Sequence, residues 1–165
     1  SDSVRSPVAV FRSKKGADNQ GQGPSTAAEK FYDHQNHFGF DIPAGWVRVA
    51  PDSSSAFKVS NNAGTSLNVG TGPARDLSIA LRDLRSELAR QGNRVNSESS
   101  TRLAGLPATR LEYTDNNRQT DGQAIACVTG QNQMFVVVIE TPRLNDPAAD
   151  QQVRDMLNSF RINRP

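Results

Sequence analysis

The 165 residues, 35% of them hydrophobic, suffice for one domain that buries about two-thirds of its unfolded surface. Nineteen basic and seventeen acidic side chains leave a net charge of +2 and an isoelectric point near 9.0, too small and too evenly spread an excess for a nucleic-acid surface. The single cysteine, Cys127, excludes an internal disulfide and a CxxC metal pair, and no run reaches the roughly eighteen apolar residues of a membrane span.

The opening SDSVRSP, without methionine, reads as the start of a trimmed or processed chain. Val8, Val10 and Phe11 make one apolar patch in an otherwise flexible arm, and residues 18–28, DNQGQGPSTAA, give a core no large apolar side chain. Residues 1–30 are therefore expected to be arm and linker, and residues 31–165 the folded domain. Phe38, Phe40 and Ile42 alternate, as a strand with one buried face requires. The same period of two runs through AFKVS and TSLNVG, separated by Asn61, Asn62, Ala63 and Gly64, residues that tolerate positive φ; this predicts a hairpin. Over residues 76–91 the period changes. Leu77, Leu81, Leu84 and Leu88 fall at helical spacing, with Arg82, Asp83, Arg85 and Glu87 off that stripe, Asp76 as cap and Gly92 as stop.

Beyond the helix, RVNSESSTR is polar and suits an edge strand, and Leu106-Pro107 is read as a turn into ATRLEYTD, where Thr109, Leu111 and Tyr113 share a face. After a polar loop at 115–119, GQAIACVTG and MFVVVIET form two apolar strands around a turn at 130–133, the expected sheet centre. Asp146-Pro147 then opens a second helix to about Ser159, with Ala149, Val153, Met156, Leu157 and Phe160 facing inward. Strands, helix, strands, helix is the order of an α+β domain: an antiparallel sheet flanked by two main helices. Trp46, Phe135 and Phe160 are expected in one core, because each lies on the apolar face of its own element.

Several segments together resemble the Mog1/PsbP-like family. FGFDIPAGW, Phe38 to Trp46, is similar to the family's opening strand, turn and tryptophan, and LAGLPATRLEY, Leu103 to Tyr113, to its small-residue turn and strand. Gly130 with Phe135 to Val138 and Thr141-Pro142 resembles its long final hairpin, and Leu157 to Phe160 its terminal helix. The resemblance covers residues 38–163 and implies an α/β/α sandwich. It implies no common active site, because the family holds photosystem II extrinsic subunits, a Ran-binding transport factor and many exported bacterial proteins and lipoproteins. The Gln/Gly/Ser linker and the presence of only two histidines depart from the photosynthetic members.

Candidate chemistry is sparse. His34 and His37 stand three apart after Asp33, so that on a helical turn both imidazoles reach one Zn²⁺ with Asp33 as third ligand; exposed polar residues before a strand are the alternative. Gly70-Thr71-Gly72-Pro73-Ala74-Arg75 has part of the GxGxxG spacing, but Arg75 replaces the third glycine and Pro73 removes an amide. No GxSxG or SxxK nucleophile motif occurs, and Cys127 sits mid-strand among apolar neighbours. Glu112, Asp115, Asp121 and Glu140 read as solvated carboxylates with no evident converging pair. Arg75, Arg82 and Arg85, with Arg90 and Arg94, crowd the first helix and can meet an acidic partner or lipid headgroups, although Asp76, Asp83 and Glu87 offset much of that charge.

The expected function is a non-catalytic protein-binding or scaffold module of an exported or membrane-associated bacterial assembly, periplasmic or lipoprotein-anchored, touching membrane only through an N-terminal anchor outside this chain. Another protein is the expected partner, with no cofactor. The alternatives are a cytoplasmic adaptor or chaperone-like protein, a photosystem-associated extrinsic protein, and, from a different class, a small-molecule hydrolase with a cleft between helix and sheet.

Overall fold

A computed structural model describes residues 27–51, 55–143 and 147–164. The arm patch at Val8, Val10 and Phe11, most of the linker and the Asp146 cap lie outside the described residues. Ten strands and two helices are described: β1 (Glu29–Asp33), β2 (Phe38–Ile42), β3 (Val47–Arg48), β4 (Phe57–Ser60), β5 (Ser66–Pro73), α1 (Leu77–Arg90), β6 (Arg94–Leu103), β7 (Leu106–Asp115), β8 (Thr120–Val128), β9 (Gln133–Pro142), α2 (Pro147–Asn158) and β10 (Arg161–Ile162). The class is α+β, as the order of periodic segments predicts. The strands form two antiparallel sheets rather than one: seven strands in the order β3-β4-β5-β9-β8-β7-β6, and three in the order β1-β2-β10.

β9 is central in the large sheet, and its composition says why. Phe135, Val137 and Ile139 face one side while Met134, Val136 and Val138 face the other, and all six are buried because both sides are covered. α1 covers the second side, laying Leu81, Leu84 and Leu88 on Leu111, Tyr113, Ala124, Val136 and Val138. The carboxylate of Asp76 caps it by accepting from Ser78 N at 2.9 Å, and Gly92, at φ +82°, ends it. Glu87 departs from the expected solvated face. It is buried, 2.8 Å from Arg90, and accepts from Gln91 Nε2 at 2.9 Å, so the carboxylate is compensated where the helix turns onto the sheet.

The first side carries α2 and the small sheet over an aromatic cluster. Phe31, Phe38, Phe40, Phe57, Phe135 and Phe160 meet pairwise, with ring centroids from 3.9 Å for Phe31–Phe57 to 6.3 Å for Phe135–Phe160. Trp46, Phe135 and Phe160 do share this core. The end of α2 is tied to β2 through Ser159, whose hydroxyl accepts from Asp41 N at 2.8 Å and donates to Met156 O at 2.9 Å.

Two local readings change. The turn expected at Leu106-Pro107 lies two residues earlier, at Ala104-Gly105, whose φ values of 53° and 80° make a two-residue hairpin turn. Pro107 then sits inside β7 at no cost in ladder bonds, because pairing with β8 begins only at Ala108. Gly70 and Gly72 lie within β5, paired with Val136 and Met134, so the partial GxGxxG spacing belongs to an antiparallel strand and makes no phosphate loop.

Candidate functional site

The first side of the large sheet is only half covered. β2, β10 and α2 stand over its aromatic end, whereas towards β6 the strands turn polar side chains upward at every second position: Arg110 and Glu112 on β7, Asp121 and Gln123 on β8, Thr141 on β9. α2 overhangs this shelf with Asp150, Val153, Arg154 and Leu157, enclosing a cleft of about 570 Å³ whose floor includes Ile139. Its charged lining is two guanidiniums, Arg110 and Arg154, and three carboxylates, Glu112, Asp121 and Asp150.

Most of these groups are engaged. Glu112 accepts from the Ser97 hydroxyl at 2.9 Å, Arg154 donates to Gln151 at 2.8 Å, and Asp121 lies 3.8 Å from Arg143. Arg110 is the exception. Its Nε is shielded from solvent and has no hydrogen-bond partner among the described residues, although the residue as a whole is half-buried. A buried N–H of a charged group left in that state costs roughly 1–3 kcal/mol or more, which an incoming acceptor would recover.

Underneath, on the α1 side, the Tyr113 ring lies across Gly122, where an added Cβ would stand 2.2 Å from Tyr113 Cζ. The Tyr113 hydroxyl donates to Glu140 at 2.7 Å, and Glu140 is held by Arg118 at 3.1 Å. Burial, reinforced by the charge on Glu140, holds the phenol well above its ordinary range.

The residues singled out from sequence fall elsewhere. His34 and His37 lie in the loop between β1 and β2, where Asp33 Oδ1 accepts from Gln35 N at 2.9 Å and Asn36 N at 3.0 Å while Oδ2 accepts from Asn36 Nδ2. The turn uses Asp33 internally instead of presenting it beside two imidazoles, and the His34 ring meets Tyr32 edge-on at 4.9 Å. Among the described residues no group of three or more His, Cys, Asp or Glu is placed to hold a metal ion. On α1, Arg85 clamps Glu98 of β6 through three hydrogen bonds of 3.0 to 3.1 Å, Arg82 lies 3.6 Å from Asp83, and Arg75 is exposed before the helix. Two of these three arginines are thus beside a carboxylate. Cys127 is fully buried and burial pushes its thiol up to about 11, the opposite of an activated nucleophile. A second cleft, of about 510 Å³, adjoins Phe160 and Arg161, but that guanidinium is already held by Asp41, Ser159 O and Phe31 O.

The sequence reading took Glu112 and Asp121 as solvated surface and missed Arg110, Gln123 and Thr141. Their signal was an unbroken polar phase shared by three successive strands, which an ordinary outward face also shows; only the overhang of α2 distinguishes the two.

One sheet between a helix on one face and a helix with a small sheet on the other defines an α/β/α sandwich of the α+β class. No family model matches the chain, and no curated protein matches it in sequence. Solved structures do. Cyanobacterial PsbP from Synechocystis superimposes with a TM-score of 0.63 at 14% identity, over 90% of this chain and 98% of that one. The Ran-binding protein Mog1p of Saccharomyces cerevisiae gives 0.58 at 12%, over 84% and 97%, and LpqN of Mycobacterium tuberculosis, involved in cell envelope biogenesis, gives 0.57 at 12%, over 83% and 91%. The chain has the Mog1/PsbP-like fold. Among the described residues no helix is long and apolar enough to cross a membrane.

Proposed function

We propose that this domain is a non-catalytic binding module of an exported or membrane-associated bacterial assembly, and that the polar shelf beneath α2 receives a segment of another protein. The observation that carries the reading is Arg110, which lines the cleft and whose shielded Nε lacks an acceptor among the described residues. A backbone carbonyl or carboxylate from a partner supplies one, while Glu112, Asp121 and Asp150 set the charge pattern the partner must complement. Catalysis has less support, because the two histidines lie in the β1–β2 loop and the only thiol is buried. The fold shared with a Ran-binding protein suits a binding role, and the fold shared with an envelope-biogenesis protein supports the envelope reading beside the cytoplasmic and photosystem alternatives.

A photo-crosslinking residue at Gln123 or Arg154, expressed in the source organism, is expected to give a discrete protein adduct, with none from the same residue at Arg82 on the opposite side. Arg110→Ala should lower the adduct yield about tenfold, in line with losing a charge-assisted hydrogen bond. Equal labelling at Arg82, or none on the shelf, sinks the proposal.

A further inference from the structure

β6 closes one edge of the large sheet, and among the described residues its outer edge is unpaired. It runs for ten residues, pairs with β7 alone among them, and residues 97–100 are all exposed. Natural sheets block such an edge with charged side chains, proline, bulges or short strands; from Ser97 to Leu103 β6 runs without proline or bulge, and its charges there are one of each sign.

The hairpin turn fixes which backbone groups point outward. With a two-residue loop at Ala104-Gly105, the flanking pair Leu103↔Leu106 exchanges hydrogen bonds, as do Thr101↔Ala108 and Ser99↔Arg110. The N–H and C=O groups of Glu98, Ser100 and Arg102 therefore face away from β7. Side-chain charge then selects a register for a second, antiparallel copy. With Ser100 opposite its own copy, Glu98 of each chain stands opposite Arg102 of the other, so all three outward-facing residues form hydrogen-bonded pairs and both charged pairs attract. Slipping the copies by two residues sets Glu98 against Ser100 or Ala104 and loses both attractions; slipping by four sets Glu98 against Glu98 and Arg102 against Arg94 one way, and Arg102 against itself the other. Further extension towards the strand start meets the irregularity between Val95 and Ser97.

We infer that β6 is a self-association edge, at which two copies of this chain join antiparallel about a two-fold axis through Ser100. The large sheet then continues across the axis as fourteen strands, twice the seven of each copy. The clamp between Arg85 and Glu98 pre-positions the carboxylate that each copy offers to the other's Arg102. Ser97, Ser99 and Thr101 lie on the shelf face, so the two shelves become one continuous polar surface. This goes beyond the shelf reading and does not depend on it.

Sedimentation velocity of the full chain from about 10 μM to about 1 mM should show a reversible monomer–dimer equilibrium, the range expected of a small interface. Glu98→Arg and Arg102→Glu should each weaken association about tenfold, because two attractive cross-strand pairs become repulsive, and the double swap should restore it to within about threefold. Ser100→Pro removes an N–H that β7 does not use, so it should abolish the dimer with the monomer still folded by circular dichroism. Ser100→Cys should form an inter-chain disulfide under mild oxidation, whereas Ser86→Cys on α1 should not. A monomer throughout, a dimer indifferent to the charge swap, or equal crosslinking at the two cysteines overturns the inference. Shelf crosslinking at Gln123 that persists in Ser100→Pro separates the two proposals.

Discussion

The two faces of the large sheet are built on opposite plans. On the α1 side one helix of fourteen residues lays a leucine stripe along β7, β8 and β9, and even Glu87 in its last turn is buried and paired. On the other side α2 contributes Val153 and Met156 beside six phenylalanines at one end, and then overhangs a polar shelf at the other. The first face has no cleft, and its polar remainder is uncharged: Asn68 Oδ1 on that side of β5 and Asn93 Oδ1 after α1 are buried without a hydrogen-bond partner among the described residues. The second keeps a cleft, three carboxylates and a guanidinium nitrogen without an acceptor among the described residues, so the charged part of the unfinished polar work lies on one half of that face. A face that maximises its own stability has nothing left to offer a partner, whereas an unsatisfied one carries a cost that a partner removes.

The sharpest way to break this contrast is to empty the aromatic end. Phe135→Ala should cost about 3–5 kcal/mol in chemical denaturation, because the ring is fully buried against Phe38 and Phe160. A loss below about 1 kcal/mol would mean that the cluster is not the anchor of that face. Next comes pH. The thiol of Cys127 moves from an ordinary 9.0 to about 11, so the unfolded chain ionises first; its contribution is full below pH 9 and is lost as pH rises towards 11. About 2–3 kcal/mol should disappear over that window, and Cys127→Ala should flatten the slope. Tyr113 adds loss of the same sign above pH 10, the ordinary phenol value.

On the α1 side, Gly122→Ala should cost about 1–3 kcal/mol, since the new methyl meets a Tyr113 ring that is itself buried and cannot move aside. Adding Tyr113→Leu should remove part of that penalty, and thermal melts of the single and double variants test it. The smallest effects are expected at polar positions. Arg82→Ala should change stability by less than about 0.5 kcal/mol. Arg110→Met should be neutral or slightly stabilising while partner capture fails; a loss above about 1 kcal/mol would make Arg110 a structural residue and erase the contrast between the faces.

Sequence periodicity carried the framework because most elements have one clear inner face: Leu77 to Leu88 at helical spacing, Phe57 with Val59, and the doubly buried run from Met134 to Ile139. It carried neither β3 nor β10, because two residues contain no period, and without β10 and β1 the second sheet was invisible. Glu87 was misplaced because a charge was assumed to face water, whereas Arg90 one turn on and the Gln91 amide make its burial tolerable. The shelf was legible only as alternation. That Arg110 and Glu112 face a cleft follows from where a helix forty residues later comes to rest, a long-range fact that no local window holds.

The indole of Trp46, the only tryptophan in the chain, is 1% exposed and donates from Nε1 to Gln152 Oε1 at 3.0 Å, binding the segment after β2 to the helix that roofs the cleft. The domain thereby contains its own optical gauge. Any event that tilts or lifts α2, whether a ligand wedged beneath it or local melting, disturbs the hydrogen bond and polarity around one fluorophore, so emission wavelength and quencher access follow the roof of the cleft without an added label.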